Sequence, residues 1–166
     1  MIGYHDCILT NHGATMPSPS TSILHFRRAE AADIPAMSAI RLNVAENVLR
    51  DRSKVTPQMY HDYLDLLGRG WVCLVDDRIV GFAYASRADA SIWALFVAPS
   101  HEGMGIGRRL LDFAVDWLFA VGAPVITLDT GRDTRAARFY AAAGWLRDAD
   151  TGAGNVRFRL TTTPLA

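Results

Sequence analysis

The stretch that decides the fold is residues 97–111, which read VAPSHEGMGIGRRLL. It begins at the end of an apolar run, residues 92–97, that is typical of a buried strand. A proline ends this run, and three glycines follow at alternate positions, 103, 105 and 107. The chain therefore leaves a strand and enters a loop of small residues.

From position 106 onward, apolar residues recur at spacings of three and four, which predicts a helix with one buried face. These residues are Ile106, Leu110, Phe113, Ala114, Trp117 and Leu118. A glycine-rich loop at a helix N-terminus lets backbone N–H groups approach an anion, and the helix dipole favours negative charge there. The loop predicts a site for a phosphate or pyrophosphate, with a purely structural turn as the alternative.

Two familiar phosphate loops fail on spacing. A P-loop needs Lys and then Ser or Thr after its last glycine, whereas Arg108 and Arg109 follow Gly107. The dinucleotide fingerprint needs Gly or Ala where Arg108 stands. The loop instead resembles that of the GNAT family of N-acetyltransferases, in which Arg or Gln precedes Gly-x-Gly-x-Gly or Ala at a helix start. Residues 102–107, EGMGIG, match this pattern except at Glu102.

A second block, residues 133–145 (DTRAARFYAAAGW), supports the same resemblance. The later block of the family is typically Asn, two residues, Ala, two residues, an apolar residue, Tyr, and then Gly followed by Phe. The positions in register are Ala136, Phe139, Tyr140 and Gly144. Asp133 stands where Asn is usual, and Trp145 replaces Phe. The resemblance covers about residues 23–160.

The pattern along the chain predicts a strand, two helices, three strands, a helix, a strand, a helix and two strands. By itself this order supports a mixed α/β protein with a central sheet. The resemblance implies the GNAT fold, a central mixed, mostly antiparallel sheet with splayed fourth and fifth strands, flanked by helices. We expect one domain over residues 23–166, after a flexible N-terminal extension over residues 1–22 that ends in a Pro/Ser cluster.

Local signals place the first two helices. The first is expected over residues 31–44, with Asp33 as a candidate N-cap and Leu42 among its apolar residues. The second begins at Thr56 and Pro57, because Thr is a good N-cap and Pro suits the first helical position. It is expected to continue to Gly68.

Composition argues against several function classes. The 17 basic residues equal the 17 acidic ones, so no basic surface predicts nucleic-acid binding. No apolar run approaches ~18 residues and no secretory signal is visible, so we expect no membrane partner and a cytoplasmic location. Cys7 and Cys73 predict neither a disulfide framework nor a metal site.

The resemblance also implies that acetyl-CoA is the acetyl-donating co-substrate, with no metal. Its pantetheine arm would pair with the main chain of the fourth strand, and its pyrophosphate would meet the glycine loop. The expected cofactor-binding residues are Phe96, Val97, Glu102, Gly103, Met104, Gly105, Ile106, Gly107, Arg108 and Asp133. Glu102 would repel a pyrophosphate unless it points away, and Arg108 and Arg109 are the expected compensating cations.

Acetyl transfer needs an oriented amine, removal of its proton and protonation of the leaving sulfur, since an amine of pKa ~10 is mostly protonated at neutral pH. Tyr140 matches the Tyr that the family places beside the thioester sulfur, so it is the candidate acid. Many relatives place a Glu on the fourth strand, but here that strand has no carboxylate. The resemblance implies that the region between the first two helices borders the acceptor, so Glu46, which lies there, is the candidate base or amine ligand. His101, Asp129 and a water relay are alternatives.

These inferences together predict an acetyl-CoA-dependent N-acetyltransferase that moves an acetyl group to an amine of a small molecule or protein by direct attack on the thioester. A non-catalytic acyl-CoA-binding module of the same fold and an enzyme for another acyl-CoA are the alternatives. The identity of the amine acceptor and the oligomeric state, a homodimer included, stay open.

Overall fold

The computed structural model describes residues 22–43 and 55–162. Within these residues the strands are β1 (His25–Arg28), β2 (Gly68–Val75), β3 (Arg78–Ser86), β4 (Ser91–Val97), β5 (Val125–Gly131), β6 (Leu146–Gly152) and β7 (Asn155–Thr161). The helices are α1 (Ile34–Asn43), α2 (Pro57–Asp65), α3 (Ile106–Ala120) and α4 (Arg135–Ala142). The predicted order of elements is confirmed.

One sheet of seven strands, in the order β1-β2-β3-β4-β5-β7-β6, runs through the described part of the chain. All neighbouring strands are antiparallel except β4 and β5, which are parallel. Only Ser91 and Thr127 are register partners between β4 and β5 in the described residues, and the Thr127 N–H donates to the Ala90 carbonyl at 3.0 Å. Beyond this point the two strands separate, which confirms the predicted splay.

A β-bulge interrupts β4 at Trp93. Tyr84 of β3 lies opposite Ala94, and Ala85 lies opposite Ile92, so Trp93 is the extra residue on β4. Bulges re-aim side chains and are common next to active sites. This bulge changes which residues of β4 face each side of the sheet.

Helices cover both faces of the sheet, and each face has its own apolar core. On the α1–α2 face, Met37, Phe82 and Tyr84 are fully buried, and Trp93 and Phe96 pack against them. The other face, under α3 and α4, has a larger core. Its fully buried side chains include Ile106, Leu110, Leu118, Ile126 and Val156.

The start of α1 differs from the prediction. A short 3-10 turn, Ala31–Asp33, precedes α1, and Glu30 holds the N-cap position. Asp33 therefore lies inside the turn, where its carboxylate accepts the Glu30 N–H at 2.8 Å and pairs with both terminal nitrogens of Arg27. The prediction of Asp33 as N-cap was wrong, because its carboxylate satisfies donors that lie before the turn. Of the apolar residues named for this helix, Leu42 is 56% exposed.

The start of α2 agrees with the prediction. Thr56 is the N-cap, and its hydroxyl oxygen accepts the Met59 N–H at 3.3 Å, with Pro57 in the first turn. The helix ends at Asp65 rather than at Gly68, because Gly68 already pairs with Ser86 as the first residue of β2.

Several expectations fall partly outside the described residues. The predicted extension, residues 1–22, lies there except for Ser22, and so do Cys7 and Glu46. Cys73 is buried in β2, and burial raises the pKa of its thiol to about 11. Among the described residues, no helix is both long enough and apolar enough to cross a membrane.

Candidate functional site

The glycine loop connects β4 to α3. A 3-10 turn, Pro99–His101, opens it, and Gly103 and Gly105 then take φ angles of 75° and 79°, in the left-handed region that favours glycine. A Cβ atom at either glycine would meet no heavy atom within 4 Å, so this side of the loop is open. The backbone is therefore accessible to a ligand.

The N-terminus of α3 adjoins this open loop. Gly105 is its N-cap residue, and no side chain of the described residues caps it. The first N–H groups of a helix have no intrahelical partner and carry the positive end of the dipole. This arrangement fits an anion such as a pyrophosphate.

A cavity of about 500 Å³ extends from this loop along β4 to α4. This volume is within the range of small-molecule sites, ~300–1,000 Å³. Leu95, Phe96 and Val97 form its strand wall. The loop and the start of α3 contribute Glu102, Gly103, Gly105, Ile106, Gly107 and Arg108. The wall from α4 contains Arg135, Ala136, Phe139 and Tyr140.

Eight of the ten predicted cofactor-binding residues therefore line one cavity, together with the candidate acid Tyr140. Met104 and Asp133 do not line it. Met104 is 42% exposed, and Asp133 is exposed in the turn before α4. Thr134 rather than Asp133 caps that helix, since its hydroxyl oxygen accepts the Ala137 N–H at 3.1 Å. The candidate base Glu46 lies outside the described residues.

Glu102 forms an ion pair with Arg135 across the cavity wall. Both carboxylate oxygens accept from the guanidinium, one of them at 2.6 Å. The Arg135 guanidinium holds the pKa of Glu102 below its usual range, so this carboxylate stays ionised and paired at neutral pH. The pair offsets the negative charge of Glu102 beside the glycine loop.

The two arginines at the start of α3 have other contacts. Arg108 lines the cavity, and its Nε donates to Asp112 at 3.2 Å, one turn further along the helix. The guanidinium of Arg109 lies 4.7 Å from the ring centre of Phe113. The cation that faces Glu102 therefore comes from α4, and sequence reasoning missed it. The signal in the sequence was Glu102 itself. An acidic residue at the position where the family carries Arg or Gln indicates that a cation lies nearby.

Tyr140 lines the cavity, is only 7% exposed as a residue, and packs among aromatic side chains. Its ring centre lies 5.2 Å from that of Phe139 and 5.9 Å from that of Trp145. Burial raises the pKa of the phenol above its ordinary value, so the hydroxyl stays protonated at neutral pH. A protonated phenol can donate a proton.

The alternative bases have clear positions. Both oxygens of the Asp129 carboxylate accept from Arg157 on β7, at 2.8 and 2.9 Å, and Asp129 does not line the cavity. His101 does line it, near the loop, with its Nδ1 2.8 Å from the Ser100 hydroxyl oxygen. His101 therefore lies at the glycine-loop end of the cavity.

Comparisons with known proteins agree with this geometry. The sequence model of the acetyltransferase (GNAT) family matches residues 38–145. An uncharacterised N-acetyltransferase of Archaeoglobus fulgidus is 31% identical over 94 residues, in an alignment that covers 51% of this chain and 64% of the relative. The aligned part thus spans slightly less than two thirds of that relative.

Solved structures show the same fold. A GNAT-family protein of Desulfovibrio desulfuricans superposes with a TM-score of 0.71 at 20% identity, over 85% of this chain and 100% of the other. YncA of Salmonella typhimurium, solved with acetyl-CoA, superposes with a TM-score of 0.69 at 21% identity, over 86% of this chain and 96% of the other. With the family match over more than half of its length, this chain belongs to the GNAT family of acetyltransferases.

Proposed function

We propose that the protein transfers an acetyl group from acetyl-CoA to an amine by direct attack of the amine on the thioester. The observation that carries this proposal is one cavity that joins the open side of β4, the uncapped N-terminus of α3 and the buried phenol of Tyr140. The YncA structure, which contains acetyl-CoA, supports the choice of donor.

The binding part of the proposal depends on backbone groups. Gly103 and Gly105 leave the loop open for a pyrophosphate, and the first N–H groups of α3 would donate to it. Beyond Ser91 the described residues give β4 no pairing with β5, so its main chain near Phe96 and Val97 is available to the amides of a pantetheine arm. Side-chain charge enters through Arg108 and through the paired Glu102 and Arg135.

In the chemical step, the amine nitrogen forms a bond to the thioester carbonyl carbon, and the carbon–sulfur bond breaks. The sulfur leaves with the electron pair and takes a proton, for which Tyr140 is the proposed donor because it lines the cavity and a phenol is protonated at neutral pH. The amine loses one proton. Glu46 remains the proposed acceptor of this proton, since β4 supplies no carboxylate.

One observation favours a second function. Glu102 is the sole carboxylate on the cavity wall formed by the described residues, and its pairing with Arg135 leaves it poorly placed to act as a base. A protein of this kind could bind acyl-CoA without catalysing transfer. This alternative shares the donor site and differs only in turnover.

Two measurements separate these functions. Thermal unfolding with and without CoA reports binding, because a ligand of the folded state stabilises it by ~2.7 kcal/mol at a hundredfold excess over its Kd. Release of free thiol from acetyl-CoA, measured over a panel of amines, reports turnover. Stabilisation with amine-dependent thiol release supports the proposed function, and stabilisation without it supports the binding module. No stabilisation by CoA contradicts both.

A further inference from the structure

Arg41, near the end of α1, lies on the face of the sheet opposite the glycine loop. Its guanidinium carbon lies 5.2 Å from the ring centre of Trp93 and 5.1 Å from that of Phe96. Both rings belong to β4, so the cation is held against the strand that forms one wall of the cavity. Cation–π contacts of this kind fix the plane of the guanidinium and leave its N–H groups to bind elsewhere.

These N–H groups are not satisfied by the described part of the chain. The Nε and Nη1 atoms of Arg41 are buried and have no hydrogen-bond partner there. Arg27 and Arg157, in contrast, each donate two hydrogen bonds to one carboxylate. A buried donor of a charged group without a partner is costly, so such a group calls for an explanation.

Neighbouring rings pack around the aromatic platform under Arg41. Trp93 stacks on Tyr63, with ring centres 4.5 Å apart and planes 6° apart. Its edges meet Tyr60 and Tyr84, and the Tyr84 hydroxyl donates to the Tyr60 carbonyl at 3.2 Å. The bulge at Trp93 places this ring on the α1–α2 face. The guanidinium therefore has a set position before any ligand arrives.

Phe96 links this platform to the proposed reaction site. Its ring is one of the two under Arg41, and the same residue lines the cavity on the other side. The glycine loop and α4 occupy the far side of the cavity, so an amine approaching β4 from the α1–α2 face would pass beside Arg41. A carboxylate is the group that a guanidinium with unpaired N–H donors binds best.

We propose that Arg41 binds a carboxylate of the acceptor, so that the substrate is an amine that also carries a carboxylate. This inference rests on the proposed acetyl transfer and makes it more specific. Arg41 acts as a specificity residue, because its contact is with a part of the acceptor that does not react.

The experiment compares short carboxylated amines, each beside its primary amide, as acceptors for the wild type and the Arg41→Gln variant. Amines in an acidic peptide and in its Asn/Gln counterpart test whether the carboxylate comes from a small molecule or a protein. We expect Arg41→Gln to lower kcat/KM for the carboxylated member by about tenfold to a hundredfold, as for loss of a hydrogen bond to a charged group. The amide should be nearly unaffected. For each protein, kcat/KM for the carboxylated amine is divided by kcat/KM for its amide. Comparing this ratio between wild type and variant cancels any difference in amine pKa within a pair.

Arg69→Gln is the matched control. Arg69 also lies over a tryptophan, 5.1 Å from the ring centre of Trp117, and its Nε is also buried without a partner in the described residues. Neither arginine is itself a lining residue of the cavity, but Arg41 lies over Phe96, which lines it, whereas the ring under Arg69 does not. The Arg69→Gln variant should keep the preference for the carboxylated amine over its amide. The Arg41→Lys variant should show only part of the preference that Arg41→Gln loses.

An equal loss for both members of a pair, or an unchanged preference in Arg41→Gln, would overturn the inference. Thermal shift with N-acetylglycine and N-acetylglycinamide gives a readout that does not need turnover. If no amine releases thiol, the proposed function fails and the acceptor assignment fails with it, but a larger stabilisation of the wild type than of Arg41→Gln by N-acetylglycine still supports a carboxylate site at Arg41. An equal shift in both proteins rejects it.

Discussion

Replacing Arg135 by Gln should weaken CoA binding, and adding Glu102→Gln to that variant should restore much of the loss. The two side chains form a two-point ion pair on the cavity wall, with one N···O distance of 2.6 Å. Without the guanidinium, an unpaired carboxylate faces any phosphate in the cavity. Glu102→Gln alone removes the negative charge and keeps the cation, so it should bind CoA at least as well as the wild type.

The short chain distance between Glu102 and the glycine loop limits the separation of the charges. Gly105 is three residues after Glu102, so a carboxylate at 102 and a phosphate at the loop lie roughly 10 Å apart. At this distance two unit charges interact by ~1.7 kcal/mol at an effective dielectric constant of 20, and by ~0.4 kcal/mol in bulk water. The expected loss in Arg135→Gln is therefore about twofold to fifteenfold in Kd per phosphate charge at low salt.

Calorimetric titration with CoA at several salt concentrations measures this effect. The loss should shrink as salt rises, because the Debye length falls from ~10 Å at 0.1 M to ~3 Å at 1 M. Arg138→Gln is the matched control, since Arg138 is an exposed arginine of α4 that does not line the cavity. The reasoning is refuted if Arg138→Gln weakens binding as much as Arg135→Gln, or if the double variant binds no better than Arg135→Gln.

Three further predictions concern the loop, the acid and the start of α1. Gly105→Asp should abolish the stabilisation by CoA. Gly122→Asp, at another left-handed glycine, should keep it, as melting curves with CoA will show. Tyr140→Phe should lower turnover by ~100-fold or less with unchanged CoA affinity, measured by steady-state kinetics and calorimetry; unchanged chemistry-limited turnover would remove it as the acid. Arg27 holds the pKa of Asp33 below its unfolded value, so the pair stabilises the fold above pH ~4 and loses this effect as pH falls through the folded pKa. Asp33→Asn should therefore lower Tm at pH 7 and make Tm decrease less as the pH is lowered. If Tm of the variant depends on acidic pH as that of the wild type does, this assignment is contradicted.

Local chemistry made much of the fold predictable. Thr56 and Pro57 together predict the start of a helix. In the structure Thr56 is the N-cap of α2 and Pro57 lies in its first turn, as expected. The loop around Gly103 and Gly105 was recognisable because left-handed backbone and a helix start need small residues at fixed spacing. Asp33 shows the limit of such signals, because its partners are Arg27 and a backbone N–H rather than the helix it was expected to cap.

The parts of the site that escaped prediction depend on contacts between distant segments. Arg135 meets Glu102 across 33 positions of sequence, and no periodic pattern encodes such a pair. The bulge at Trp93 depends on the register with β3 and is not visible in the apolar run of β4. The position of Arg41 over two rings of β4 likewise follows from how α1 packs on the sheet.

The single pair that joins β4 to β5 has a consequence for local unfolding. Strands β1 to β4 form one continuous ladder of antiparallel pairs, and β5, β7 and β6 form another. Between them the described residues supply the Ser91–Thr127 pair and the hydrogen bond from Thr127 to Ala90. Segments linked by so few hydrogen bonds can open as separate cooperative units. Native-state hydrogen exchange should therefore divide the amides of the sheet into two groups with different opening free energies. A molecule that binds between β4 and β5 and contacts both strands should make these two opening free energies more alike.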